Sequence, residues 1–177
     1  MADKTKLFKA HLDVADINHH RYEHKDFTLA LLPNEDTQHF LLKLIGYSLL
    51  PLEQANIFSH NTSSFNPDVG IQALDEHFEV WLDAGFPSLK RVDRACHKSE
   101  QVIILTPTQS SWLDENKHKL RLLDNLHLIS LDNHFIQKIE DNIVKKLDWS
   151  VILENDKITI SDHCDFYETQ LNELSLA

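Results

Sequence analysis

The sequence predicts a mixed α/β (α+β) fold, a mixed sheet flanked by helices with a β-hairpin at each end. Three observations predict it. The stretch from His77 to Thr106 reads as strand, turn, helix, strand. Segments of alternating apolar and polar residues open and close the chain. Between them, apolar stripes of helical spacing recur after Pro33 and after Asn133.

In the central stretch, Phe78, Val80 and Leu82 alternate with Glu79, Trp81 and Asp83, the period of a strand with one face in the core. Ala84 and Gly85 end it. Pro87 and Ser88 suit the first positions of a helix, whose stripe is Leu89, Val92 and Ala95 or Cys96. Gln101 to Thr106 is a short apolar run, as in a buried strand. Such a strand–helix–strand unit is a right-handed βαβ crossover.

The flanks follow in order. Phe8, Ala10, Leu12 and Val14 mark a strand over Lys6 to Ala15, and Tyr22, Phe27, Leu29 and Leu31 mark one over Arg21 to Leu32. Asp16-Ile17-Asn18 turns between them, giving an N-terminal hairpin. Pro33-Asn34 starts a helix, with Glu35 and Asp36 in the first turn, where the helix dipole favours negative charge. Phe40, Leu41, Leu44, Ile45 and Ser48 keep one face apolar to about Leu49, and Pro51 stops it. Ala55 to Ser59 reads as a short strand and His60 to Asp68 as a loop. Ser110 to about Lys119 reads as a helix with Trp112 and Leu113 inward. Leu126, Leu128 and Ser130 mark a strand. A helix from Asn133 to about Lys146 carries Phe135, Ile136, Ile139 and Ile143. Trp149, Val151 and Leu153, then Ile158 and Ile160, flank Asn155-Asp156 as a closing hairpin. The tail from Asp162 to residue 177 is acidic and expected on the surface.

Composition narrows the class. The 177 residues, 42% hydrophobic and 25% charged, suit one globular domain over 1–177. A formal net charge of −11 disfavours broad binding to phosphate backbones. Two cysteines and no CxxC argue against a disulfide framework or a zinc ribbon, and fit a reducing cytoplasm. No apolar leader and no apolar run of ~18 residues are visible, so neither export nor a membrane span is expected. There is no GxGxxG, Walker or GxSxG pattern.

Glu79 and Asp83 share one strand face, and paired carboxylates suit a hard divalent ion such as Mg²⁺. Four residues of strand set their Cα atoms roughly 13 Å apart. At most one is then a direct ligand, with Glu79 preferred; the alternative is two solvated edge charges. Arg91, Arg94 and Lys98 fall on one helix face, which either neutralises a phosphate or is simply solvated. The twelve histidines form no HExxH or HxH pattern and read as surface composition. Cys96 reads as a packed thiol.

Glu79, Trp81, Asp83, Gly85 and Pro87, followed by Arg91 and by Arg94-Ala95-Cys96, resemble the signature of the bacterial YaeQ family. The resemblance extends to the opening hairpin, the Pro33 to Gly46 helix, Pro67, Trp112 and the closing hairpin. It implies a compact restriction-endonuclease-like core of the PD-(D/E)XK class, in which carboxylates of active relatives bind Mg²⁺. Carried over, Glu79 and Asp83 match the strand acids, Arg91 matches the family arginine, and Arg94 stands where lysine is usual. Gln38 replaces a usual glutamate. Phe65-Asn66-Pro67 replaces Asp-Glu-Pro, although Asp68 follows. An amide supplies an oxygen without charge, and arginine does not share its proton as lysine does.

Two functions follow from the resemblance. The preferred one is a catalytically weakened or inactive relative that acts by binding a protein or nucleic-acid partner. The alternative is a Mg²⁺-dependent phosphodiesterase or nuclease. There Glu79, Asp83 and Asp68 would surround the ion, Gln38 would position water or metal, and Arg91 and Arg94 would hold phosphate.

Overall fold

The computed structural model describes residues 4–58 and 66–174. In chain order the strands are β1 (Lys6–Asp16), β2 (Arg21–Leu31), β3 (Asn56–Ile57), β4 (Val69–Gln72), β5 (Phe78–Ala84), β6 (Ser99–Pro107), β7 (Leu126–Leu131), β8 (Lys146–Glu154), β9 (Lys157–Ser161), β10 (Phe166–Gln170) and β11 (Asn172–Glu173). The helices are α1 (Thr37–Leu49), α2 (Leu89–Lys98), α3 (Ser111–Leu120) and α4 (Asn133–Asp141).

The mixed class and both terminal hairpins form as expected. The strands divide into two sheets, ordered β10-β9-β8-β1-β2 and β11-β7-β6-β5-β4-β3. Alternation along a strand reports which face is buried, not which strand lies alongside, so the partition was not visible in the sequence. The two hairpins join because β1 runs parallel to β8, with Leu12 opposite Trp149. Their tips meet at one end. The Asn18 amide donates to the Asn155 carbonyl at 2.9 Å, and the Asn155 N–H donates back to Asn18 at 2.7 Å.

The core has two parts, which fix the layering. The larger joins inner residues of the first sheet, α1, α4 and one face of the second sheet. The smaller joins the other face of the second sheet to α2 and α3. The order is therefore sheet, helices, sheet, helices. Helix α1 lies between the sheets, and every residue from Phe40 to Ser48 is buried, including Lys43. Phe40 meets Phe8 of β1 with ring centroids 4.8 Å apart, and Leu82 of β5 joins the same cluster. After α1 the chain turns back along β2. Lys25 donates to the Leu52 carbonyl at 3.1 Å, and Glu23 accepts from the Glu53 N–H at 3.1 Å.

Several boundaries differ from the periodicity. Helix α1 starts at Thr37 rather than Pro33. Asp36 caps it by accepting from the Gln38 N–H at 3.2 Å, and this frees Glu35 from the first turn. Helix α4 stops at Asp141, where Asn142 takes up the last carbonyls, so Lys146 begins a strand. Strand β4 lies in a segment with too few residues to show a period. The segment from Asp162, expected as a surface tail, adds β10 and β11 and buries Tyr167. Strand β5 is covered on both faces, because α2 shields the side carrying Trp81. The loop residues 59–65, with His60 and Phe65, lie outside the described residues, as do 1–3 and 175–177.

Candidate functional site

Six ionisable side chains run in a line from the middle of α1 to the start of α2. His39 and Lys43 fall four apart on one side of α1, and Glu35, just ahead of the Asp36 cap, lines up with them. Lys43 donates to Glu35 Oε1 at 2.7 Å, with both side chains almost wholly buried. The same oxygen lies 3.0 Å from His39 Nδ1. His39 Nε2 reaches Asp68 Oδ2 at 3.0 Å, which also accepts the Ala84 N–H at 2.8 Å. Asp68 and Asp83 sit side by side where β4 and β5 pair antiparallel, next to the Val69–Leu82 pair. The Asp68 N–H donates to Asp83 Oδ1 at 3.2 Å.

Arg91 closes the line. Its Nε and Nη2 grip Asp83 at 2.7 and 2.8 Å, the two-pronged geometry that suits guanidinium and carboxylate. Nη2 also donates to the Asn66 carbonyl at 2.9 Å. The guanidinium lies 5.5 Å from the centroid of the buried Trp81 ring. Ser88 sets this reach by capping α2 at Arg91, accepting its N–H at 3.2 Å. Gly85 makes the turn out of β5 with φ +80°, and a side chain there would approach the His39 ring.

The electrostatics follow from burial against neighbours. Burial alone would lower the His39 pKa, but the hydrogen bonds its ring donates to Asp68 and Glu35 outweigh it and raise the value to about 9. His39 is thus imidazolium at neutral pH, with both ring N–H groups donating. Burial pushes Glu35 up, and His39 and Lys43 more than offset it, leaving its carboxyl below the usual range. Among the described residues, three carboxylates then face three cations, and their charges balance.

The structure brings together Asp68, Asp83 and Arg91 of the residues expected from the sequence. Glu79 is exposed on β5, four residues before Asp83, and about 13 Å of strand separates them. Gln38 is half-buried in the first turn of α1, and Arg94 is half-buried one turn beyond Arg91. Asp83, expected on a solvated face, is buried at 2% exposure. Cys96 is half-buried beside the apolar stripe of α2, and burial, with Asp93 nearby, pushes its thiol up to about 11. Glu35, His39 and Lys43 were not singled out. Their four-residue spacing, within and just ahead of a strongly apolar helix, was the available signal.

Fit to a divalent ion is decided by these contacts. A Mg²⁺ site needs carboxylate oxygens turned to the ion with room for its waters. Here both oxygens of Asp83 are held by Arg91, and Asp68 accepts from His39 and a backbone N–H in a buried setting. As arranged, this set does not fit Mg²⁺.

The fold and this line define a two-sheet α+β protein with a chain of paired charges linking α1, the start of β4, β5 and α2. The YaeQ protein family model matches residues 1–171, and the chain belongs to that family. A relative from Escherichia coli (strain K12), "Uncharacterized protein YaeQ", is 22% identical over 174 residues, covering 97% of this chain and 96% of the relative. One of the same name from Salmonella typhi is 21% identical with the same coverage. The crystal structure of a YaeQ protein from Xanthomonas axonopodis pv. citri superposes with TM-score 0.88 at 18% identity, over 96% of this chain and 98% of that one. That from Pseudomonas syringae gives 0.89 at 19% identity, over 97% and 96%. At these identities the likeness speaks for the fold. Among the described residues no helix is long and apolar enough to cross a membrane.

Proposed function

We propose that this protein is a non-catalytic relative of the PD-(D/E)XK nucleases, keeping the scaffold and acting through binding. The observation that supports it is the chain of paired charges. Asp68 and Asp83 meet across β4 and β5, as paired carboxylates of that class would, yet His39 and Arg91 already neutralise them. An ion entering would have to break the Arg91 fork and leave a half-buried guanidinium without its partner, a cost of several kcal/mol. The site works as a structural clamp that fixes α1, the start of β4 and α2 against one another. The partner is a protein or a nucleic acid. The net charge of −11 favours a protein or a basic segment over a bare phosphate backbone. We place the protein in the cytoplasm, where two free thiols persist.

The adjacency of Asp68 and Asp83 supports a second reading, a Mg²⁺-dependent phosphodiesterase. Titration calorimetry with Mg²⁺ and Mn²⁺, beside cleavage assays on DNA and RNA, separates the two. The binding reading expects no saturable heat and no cleavage. Mn²⁺- or Mg²⁺-dependent cleavage abolished by Asp83→Ala would replace it with the second, and loss in Glu79→Ala would bring that exposed residue into the site.

A further inference from the structure

The outer face of the N-terminal hairpin carries a second, independent cluster. The β1–β2 register sets His11 opposite Asp26 and Asp13 opposite His24, so imidazole and carboxylate alternate on a two-by-two checkerboard. Each ring touches both acids. His11 Nδ1 lies 2.6 Å from Asp26 Oδ1, and His11 Nε2 lies 3.3 Å from Asp13 Oδ2. His24 Nδ1 lies 2.8 Å from Asp13 Oδ1, and His24 Nε2 lies 3.2 Å from Asp26 Oδ2. The two rings meet edge to face, with centroids 4.4 Å apart. The parallel β1–β8 pairing adds Asp148 directly beside His11, and His163 holds Asp148 at 2.8 Å.

The four contacts form a closed ring of four nitrogens and four carboxylate oxygens. A neutral imidazole has one N–H and one lone pair. With both rings neutral, two of the four contacts set a nitrogen lone pair against a carboxylate lone pair. The arrangement is therefore short of positive charge at its centre. Two added protons satisfy it, and so does one metal ion.

We propose that His11, His24 and Asp26, with Asp13 as an alternate carboxylate, form a surface binding site for a divalent transition-metal ion of the zinc class. One ligand atom from each of the three lies within 4.8 Å of the others. Tetrahedral zinc at bonds of about 2.1 Å places its ligands about 3.4 Å apart. Both rings are on the solvent side of the sheet, so small side-chain rotations close that gap without moving backbone. Two imidazoles and a carboxylate leave a fourth position for Asp13 or water. Imidazole selects zinc, copper or nickel over Mg²⁺, so this site differs in ligand chemistry from anything the ion chain would take. Asp148, beside His11, adds negative charge that favours a cation. The site was missed in the sequence because its ligands come from facing strands, not from one spaced motif.

The test uses the full chain and Zn²⁺ alone, in buffer free of chelators, with Mg²⁺ in parallel. Calorimetry is expected to give saturable Zn²⁺ binding and no Mg²⁺ heat. His11→Ala and His24→Ala are each expected to weaken Zn²⁺ binding at least ~10-fold, the lower end of what even outer-shell partners are worth. His127→Ala, on an exposed histidine elsewhere, is expected to change nothing. In wild-type protein, Zn²⁺ is expected to shift the ring resonances of His11 and His24 before those of other histidines; this readout needs no variant to fold. No zinc binding in wild type, an unchanged isotherm in the His11→Ala/His24→Ala double variant, or resonance shifts confined to other histidines would each overturn the proposal.

Discussion

His39 is where a single proton matters most. Its folded pKa of about 9 stands above the ordinary 6.5. A raised value means the folded state holds the proton more tightly than the unfolded chain. The stabilisation is complete below pH 6.5 and is lost as pH rises through about 9. The difference corresponds to about 3 kcal/mol. Wild-type protein is expected to lose melting temperature steadily between pH 6.5 and 9 by scanning calorimetry. His39→Gln is expected to melt lower at pH 6.5 and to lose clearly less melting temperature than wild type across that window. Glu35 works in the opposite sense: its lowered pKa gives stability that disappears on acidification. The sequence half-showed this site. Glu35, His39 and Lys43 carry their spacing in plain sight, whereas Asp68 becomes their neighbour only once β4 pairs with β5.

At the scale of elements, short or doubly covered segments were the least legible. Strand β4 has four residues, one of them Gly70. A Cβ at Gly70 would meet the Pro67 ring at 2.6 Å and the Val80 carbonyl at 3.1 Å. Neither neighbour is the free end of a flexible chain, so β4 would have to move, and Asp68 with it. Gly70→Ala is expected to destabilise by about 1–3 kcal/mol in urea titration, the usual cost of overpacking. A drop below about 0.5 kcal/mol would show that β4 is looser than its contacts imply. Strand β5 misled for a different reason. Alternation predicts one buried face, but a crossover helix buries the second face too. Trp81 and Asp83 therefore moved from expected solvent into the interior. Helix α1, long and strongly apolar, was legible apart from its start, where the Asp36 cap shifted the boundary by one turn.

At the scale of the molecule, the two sheets share the larger core cluster through α1 and α4. Leu12 and Trp149 of one sheet and Leu82 and Ile103 of the other belong to it together. Such sharing predicts one cooperative transition. Lys43, buried on the α1 helix that lies between the sheets, supplies the probe. Its acylation by an amine reagent, followed by mass spectrometry, is expected to appear over the same denaturant range in which tryptophan fluorescence is lost. Labelling well before that range would mean that the layers separate first. The mixed α/β class was readable because each strand and helix advertises its own period. The division into two sheets was not, since it rests on β1 finding β8 across more than a hundred residues of chain.

The position of β2 at the end of its sheet has one more effect. Its inward row begins with Arg21, Glu23 and Lys25 before reaching Phe27 and Leu29. A foreign strand zippering onto that border would smother three charges and push aside the loop that Lys25 and Glu23 hold in place. The long hairpin thus refuses further strands, and ribbon-like growth from one molecule to the next is cut off where it would otherwise begin.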